Sequence, residues 1–383
     1  MTVATTGFTR PDYVFFGAIG GLLIALAFVL YNMMGVGHAA FNTTSMGVVW
    51  GLPIIVYDYF LLTSTGLVFI ASLSLVFGIK VFEPIAKRCV WLALAGLTGG
   101  VAVLFLELGY PIRALLLTPF AMQTSSPLFW KILLVGLYTA LLLLVTLRLH
   151  FMRGTAGVRL LSVPLFLAAV GITLVAGSLY GLMSMRPFWF GGEIPVVFLI
   201  ESFMGGIAFA IFFTFLAHGF TTRGMPDDVK SLFGGVLGQL FAVAIFLHLL
   251  FVSGRAITGL YSNAEGLQVW DHIVASPLFH AALWGGIVLP LVLMMVPGLR
   301  RQGPIQLLAA TLVMLSLFVS RYEFVIGGQL VPLFKGSWAP PLLSYVPSPT
   351  EWALLLVGVF LANVVNAFGE WKLDLEWEGH GKG

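Results

Sequence analysis

The sequence predicts an all-helical, polytopic integral membrane protein of about ten spans. Three observations carry that prediction. Hydrophobic residues make up 59% of the 383-residue chain and charged residues only 9%, with a mean hydropathy of +1.02, outside the range of soluble globular domains. The apolar residues fall in solid runs of about 20, the length a helix needs to cross a hydrocarbon core about 30 Å thick. These runs lack the ten-residue alternation of a transmembrane β-barrel.

Taken in order, the first run covers 13–34, and the second, 53–79, opens with a proline in "LPIIVYDYF". The third covers 89–107 and ends on Glu107. The fourth, 128–147, opens with "SSPLFWKILL", and the fifth covers 160–182. The sixth, 194–217, again opens with a proline, in "IPVVFLIESF". The seventh covers 231–253, and the eighth, 274–297, opens with "ASPLFHAALW". The ninth and tenth cover 305–323 and 351–369. Glycine and proline inside several runs are tolerable because neighbouring helices can satisfy the freed backbone groups. The openings of the fourth and eighth runs, 150 residues apart, together with those of the second and sixth, suggest two parallel four-helix bundles at 48–185 and 194–325. The helices at 13–34 and 351–369 would then be peripheral, and the whole of 1–383 one membrane domain.

Basic residues are unevenly shared. Thirteen fall on the side of the first tail, among them Lys87, Arg88, Arg148, Arg153, Arg300 and Lys382, and six on the other, including Arg113, Lys131, Arg255 and Lys335. The positive-inside rule then places both termini in the cytoplasm of a prokaryotic inner membrane. The first run is too long for the apolar region of a cleavable signal. The longer polar connections, at 35–52, 108–127, 254–273 and 324–350, all fall on the outer side, where a partner would dock. Cys89 is the only cysteine, so neither an intrachain disulfide nor an iron–sulfur or zinc site can be built from thiols. A lone buried thiol is an ordinary small apolar residue.

In so apolar a chain the ionisable residues inside spans are the functional candidates. Asp58, Glu107, Glu201, His248, His280, Arg321 and Glu323 all count to the outer third of the membrane. His150 and His218 mark the opposite boundary, and between the two levels the sequence offers only hydroxyls such as Ser72, Ser74 and Thr173. That pattern suits a one-sided site better than a path across the bilayer. Each candidate also has an ordinary reading. Asp58 could bond Tyr57 or Thr63, Glu107 and Arg113 could form an interfacial ion pair, and Arg321 and Glu323 could cap the ninth helix.

The stretches "WGLPIIVYDYFLLTSTG", "LELGYPIRALLL", "GSLYGLMSMRPFWFGGEIPVVFLIES", "RYEFVIGGQ" and "YVPSPTEW" resemble, in this order, the polysulfide reductase membrane-subunit family (NrfD/PsrC). The similarity runs over about 45–370 and is greatest to its ten-helix branch, which includes subunits of hydrogenase-2-type complexes and of alternative complex III. The resemblance implies a quinone-binding subunit without a redox centre of its own, neither haem nor iron–sulfur cluster. Its partner would be a ferredoxin-like iron–sulfur subunit on the extracytoplasmic face, leading to a molybdopterin enzyme, a hydrogenase or a multihaem cytochrome. It maps Asp58 onto the acid that follows a Trp-Gly pair, here Trp50 and Gly51, and Glu107 onto the acid of a second motif. The arginine of that second motif is replaced by Tyr110, with Arg113 nearby.

Residues and resemblance together suggest a menaquinone or ubiquinone site. Asp58 and Glu107 would exchange protons, and Tyr57, Tyr110, Arg113, Glu201, His248, His280, Arg321 and Glu323 would complete the pocket. The chain would be non-catalytic alone and reactive only within its complex. Two alternatives stand beside this: a b-type cytochrome with His248 and His280 as haem ligands, and a secondary transporter using the acids for a coupling ion. Membrane lipid is the surrounding medium, and nothing points to nucleic acid.

Overall fold

The computed structural model describes residues 10–44, 47–152, 157–262, 264–333 and 341–376. Arg153, Lys335 and Lys382, counted in the charge bias, lie outside them. Among the described residues all regular structure is helical, and ten helices are long and apolar enough to cross a membrane. We number them α1 (Arg10–Val36), α2 (Leu52–Leu75), α3 (Glu83–Glu107), α4 (Pro127–His150), α5 (Val158–Gly181), α6 (Ile194–Ala217), α7 (Val236–Tyr261), α8 (Pro277–Met295), α9 (Gly303–Leu330) and α10 (Pro349–Lys372). Prolines in the first turn of α2, α3, α4, α6, α9 and α10 start these helices where a missing N–H costs nothing. Ser348 caps α10 in a reciprocal box with Glu351.

Helices α2 to α5 pack as a cyclic set of neighbours, as do α6 to α9, and α2 joins the two sets along α6. Helix α1 packs on α10, which packs on α3. The interior is more polar than the rim: central α2 buries Asp58, Thr63, Ser64, Thr65, Ser72 and Ser74. By contrast α1 exposes Phe16, Leu23, Ile24, Phe28 and Tyr31, as a lipid-facing helix must.

Close crossings use small residues. A Cβ on Gly66 of α2 would strike the Ser202 carbonyl of α6, and one on Gly206 would strike the Gly66 backbone. Hydroxyls add interhelical bonds there: Thr65 and Ser202 lie 2.8 Å apart, and Thr173 of α5 reaches Thr65 at 3.0 Å.

Several boundaries differ from those read in the sequence. Helix α2 stops at Leu75 although the apolar run continues, because Gly78 turns the chain with φ +72°. Helix α7 runs on to Tyr261 and α9 to Leu330, through stretches that read as loops. Within α8, residues Ala281–Val288 form a π-helical segment, for which no pattern in the sequence gives a cue.

Candidate functional site

Two buried polar centres lie side by side, one in each set of four helices. The first is built on Asp58, which is fully buried. Lys131 of α4 donates to its Oδ1 at 2.9 Å, and the Tyr180 hydroxyl of α5 donates to its Oδ2 at 2.6 Å. The Lys131 ammonium also faces the Tyr57 ring, 5.0 Å from its centroid. Asp58 thus bonds neither Tyr57 nor Thr63, whose hydroxyl goes to the Tyr59 carbonyl. A buried carboxylate–ammonium pair with both oxygens engaged has the compensation that burial of charge demands.

The second centre is built on Glu201 of α6. Arg321 of α9 donates to its Oε2, and Nδ1 of His248 of α7 lies 3.5 Å from Oε1. The Arg321 guanidinium sits over the Phe198 ring at 3.9 Å and near Phe324 at 5.6 Å. Beside it a cavity of about 60 Å³ is lined by Glu201, Arg321, Glu323, Arg255 and the rings of Phe188, Phe198, Trp270 and Phe324. Glu323 Oε1 is buried there with no hydrogen-bond partner among the described residues; His248 Nδ1, outside the cavity lining, also lacks one among them. Unsatisfied buried acceptors of this kind cost about 1–3 kcal/mol each, which fits a pocket whose polar groups are completed by a ligand.

Arg255 of α7 forms one wall. It donates to the Phe188 carbonyl and faces the rings of Phe188, Phe324 and Trp270 at 5.2, 5.3 and 5.8 Å. Beyond it lies a wider cleft of about 550 Å³ between α7 and residues 187–193. The two cavities share Phe188, Phe251, Arg255 and Trp270.

Tyr180 links the two centres. Its ring packs on Phe198 and Phe324, at 5.7 and 5.2 Å, while its hydroxyl binds Asp58. Trp189 and Trp50 continue this aromatic cluster outward. Above them the Gln329 side chain accepts from the amides of Val49 and Trp50, both at 2.9 Å, and donates to the Trp50 carbonyl at 2.9 Å. Arg186 ties the Gln329 and Val331 carbonyls to the loop before α6. Partial burial lowers the Arg186 guanidinium from its ordinary value. Tyr345 accepts from the Leu52 amide at 2.7 Å and donates to Glu351 at 2.6 Å. Burial, and then the Glu351 carboxylate, raise its phenol well above the ordinary tyrosine value.

The structure therefore brings Glu201, His248, Arg321 and Glu323 together, and sets Asp58 and Tyr57 in the neighbouring centre. Arg321 and Glu323 do not cap a helix end: α9 continues nine residues past Arg321, about 13 Å at 1.5 Å per residue. Glu107 stands apart, half-buried at the end of α3, with His38 Nε2 2.9 Å from its carbonyl. Tyr110 and Arg113 are exposed, and no ion pair joins Arg113 to Glu107 among the described residues. His280 is also exposed, whereas His248 is enclosed beside Glu201, so the two imidazoles occupy different environments. Among the described residues no group of three or more His, Cys, Asp or Glu is placed to hold a metal ion. Cys89 is buried.

Three members of these centres are not evident from sequence. Lys131 counts there only as an outer charge, and Tyr180 stands inconspicuous inside a longer motif. Arg255 falls past the end of an apolar run, although it lies seven residues after His248, two helical turns on the same face.

Comparison with known proteins identifies the family. The chain is 24% identical over 367 residues to a selenate reductase subunit of Mesobacillus selenatarsenatis, covering 82% of this chain and 83% of that one. It is also 24% identical over 405 residues to a protein of Halobacterium salinarum named as a membrane subunit of dimethyl sulfoxide reductase, covering 91% and 90%. The model of the family described as "Polysulphide reductase, NrfD" matches residues 41–333. With most of its length matched, this chain is a multi-pass membrane protein of the polysulfide reductase NrfD family, whose relatives include membrane subunits of reductase complexes.

Proposed function

We propose that the chain is the quinone-binding membrane subunit of a respiratory oxidoreductase complex, exchanging electrons between the quinone pool and an extracytoplasmic iron–sulfur partner. The observation that carries this reading is the aromatic cavity beside the Glu201–Arg321 pair, where Glu323 Oε1 is buried and unpartnered. A bound menaquinone or ubiquinone would supply two-electron, two-proton redox chemistry. Arg321 and Arg255 present guanidinium donors suited to a ring carbonyl. Glu323, Glu201 and His248 hold or release protons at carboxyl and imidazole atoms. The surrounding phenylalanine and tryptophan rings keep water out and give an aromatic ring flat faces to stack on.

Asp58, already saturated by Lys131 and Tyr180, serves as a neighbouring charge that senses the second centre through Tyr180. The relatives are both named as reductase subunits, which favours electron flow from quinol toward the partner. A molybdopterin enzyme beyond the iron–sulfur subunit suits that direction. The excess of basic residues on the side of the termini supports a cytoplasmic location for both.

The test uses the purified complex. Glu323→Gln breaks no existing pair, so it removes proton exchange with little cost to folding. General acid–base effects of this kind are worth roughly 10²-fold. Quinone-coupled turnover should fall by about that factor while the partner enzyme's activity with artificial dyes is unchanged. Unaltered quinone-coupled turnover would reject the assignment.

A further inference from the structure

The wider cleft has no role in the function proposed above, and its position against the polar cavity suggests one. The inner cavity, about 60 Å³, is well below the roughly 300–1,000 Å³ of ordinary ligand pockets. A substituted ring needs more space than this cavity offers. The wider cleft meets it at the wall that both cavities share, formed by Phe188, Phe251, Arg255 and Trp270. Of these four, Arg255 is the long, flexible side chain; it donates to the Phe188 carbonyl and lies against ring faces.

Outside that wall the cleft of about 550 Å³ is in the range of real ligand pockets. One row of α7 lines it, Leu250, Gly254 and Thr258, spaced four residues apart and thus spanning about 12 Å. Gly254 is exposed, and a Cβ added to it would meet nothing within 4 Å. The flanking residues Phe190, Leu247, Leu250, Ile257 and Leu260 are exposed apolar side chains on a membrane-spanning element and its adjoining loop. The cleft therefore opens toward lipid, with a polar cavity at its inner end.

We propose that this cleft is the lateral entrance and tail groove of the quinone site. An isoprenoid chain lies along α7 over Gly254, and the ring passes Arg255 to reach the Glu201–Arg321 cavity. This rests on the quinone reading above. It adds that the site selects long-tailed, membrane-borne quinones rather than free rings, and that Gly254 sets the width of the groove.

The experiment compares ring-only and tailed substrates in the purified complex: menadiol with menaquinol-4, and ubiquinol-0 with decylubiquinol, so that ring type does not decide the result. Gly254→Leu projects into the groove from a helical position where the backbone is unstrained. Excluding even two methylenes from contact is about tenfold in affinity. The leucine variant should raise KM for the tailed quinol about tenfold or more and leave KM for the ring-only quinol within about twofold. Gly254→Ala, which adds one methyl to the groove, should raise KM for the tailed quinol less than Gly254→Leu does and leave the ring-only quinol unaffected. A leucine variant that affects tailed and ring-only quinols alike, or neither, overturns the groove assignment. If the unsubstituted complex oxidises no quinol, or Glu323→Gln leaves turnover intact, the quinone reading itself falls, and the groove with it.

Discussion

At the scale of single residues, buried charge in this protein mostly has another group to answer it, Glu323 being the exception. Asp58 is the clearest case, because Lys131 and Tyr180 occupy both of its oxygens. Removing one partner of a buried pair strands the other, at a cost of about 3–5 kcal/mol, whereas removing both with good packing is close to neutral. Lys131→Met should therefore lower the midpoint of thermal unfolding in detergent markedly, and the Asp58→Asn, Lys131→Met double variant should recover most of the loss. Equal losses in the single and double variants would show that the pair is not the reason for the effect. In the sequence Asp58, Glu201 and Glu323 are conspicuous, because an acid inside an apolar run is costly. Their partners are less legible. A cation near a helix end reads as a topology marker, so Lys131 and Arg255 look like surface charges. Only the packing of four different helices shows which carboxylate or ring each one meets.

At the scale of elements, the protein depends on a few contacts where backbones touch. Gly66 and Gly206 let α2 and α6 approach so closely that no side chain fits between them. Gly96, on α3, is different: a Cβ there would meet Phe60 at an ordinary 3.7 Å. Alanine should thus be tolerated at Gly96, where helix propensity favours it, and should cost about 1–3 kcal/mol at Gly66 through overpacking. Thermal unfolding of the two variants in the same detergent checks the difference, and equal midpoints would contradict it. The existence of the ten helices is legible from run length alone. Their ends are not, because hydropathy stops at the first charge while the helix does not. Arg255 and Arg321 extend their helices since aromatic faces and Glu201 compensate their burial. At α2 the error runs the other way, since an apolar stretch continues beyond a turn fixed by Gly78.

At the scale of the whole molecule, the outer rim joins parts that are far apart in sequence. Tyr345 and Glu351 hold Leu52 and Asn42, and Gln329 holds Val49 and Trp50. The raised Tyr345 phenol gives this seam a pH dependence of definite sign. The folded state keeps the phenol proton above the ordinary value of about 10, so its stabilisation is intact below pH 10 and is lost at higher pH. Unfolding midpoints measured across alkaline pH should fall less steeply in Tyr345→Phe than in the unsubstituted protein, and identical slopes would refute this. The carboxamide of Gln329 has a wider consequence. Alternating-access carriers work by letting one bundle tilt against the other around a central site. Here a single side chain from the last helix of one half grips three backbone groups at the threshold of the other. Tilting would have to unlatch that grip on every cycle. The electron-exchange role proposed above gains from the opposite property, since tunnelling rewards a separation that never changes.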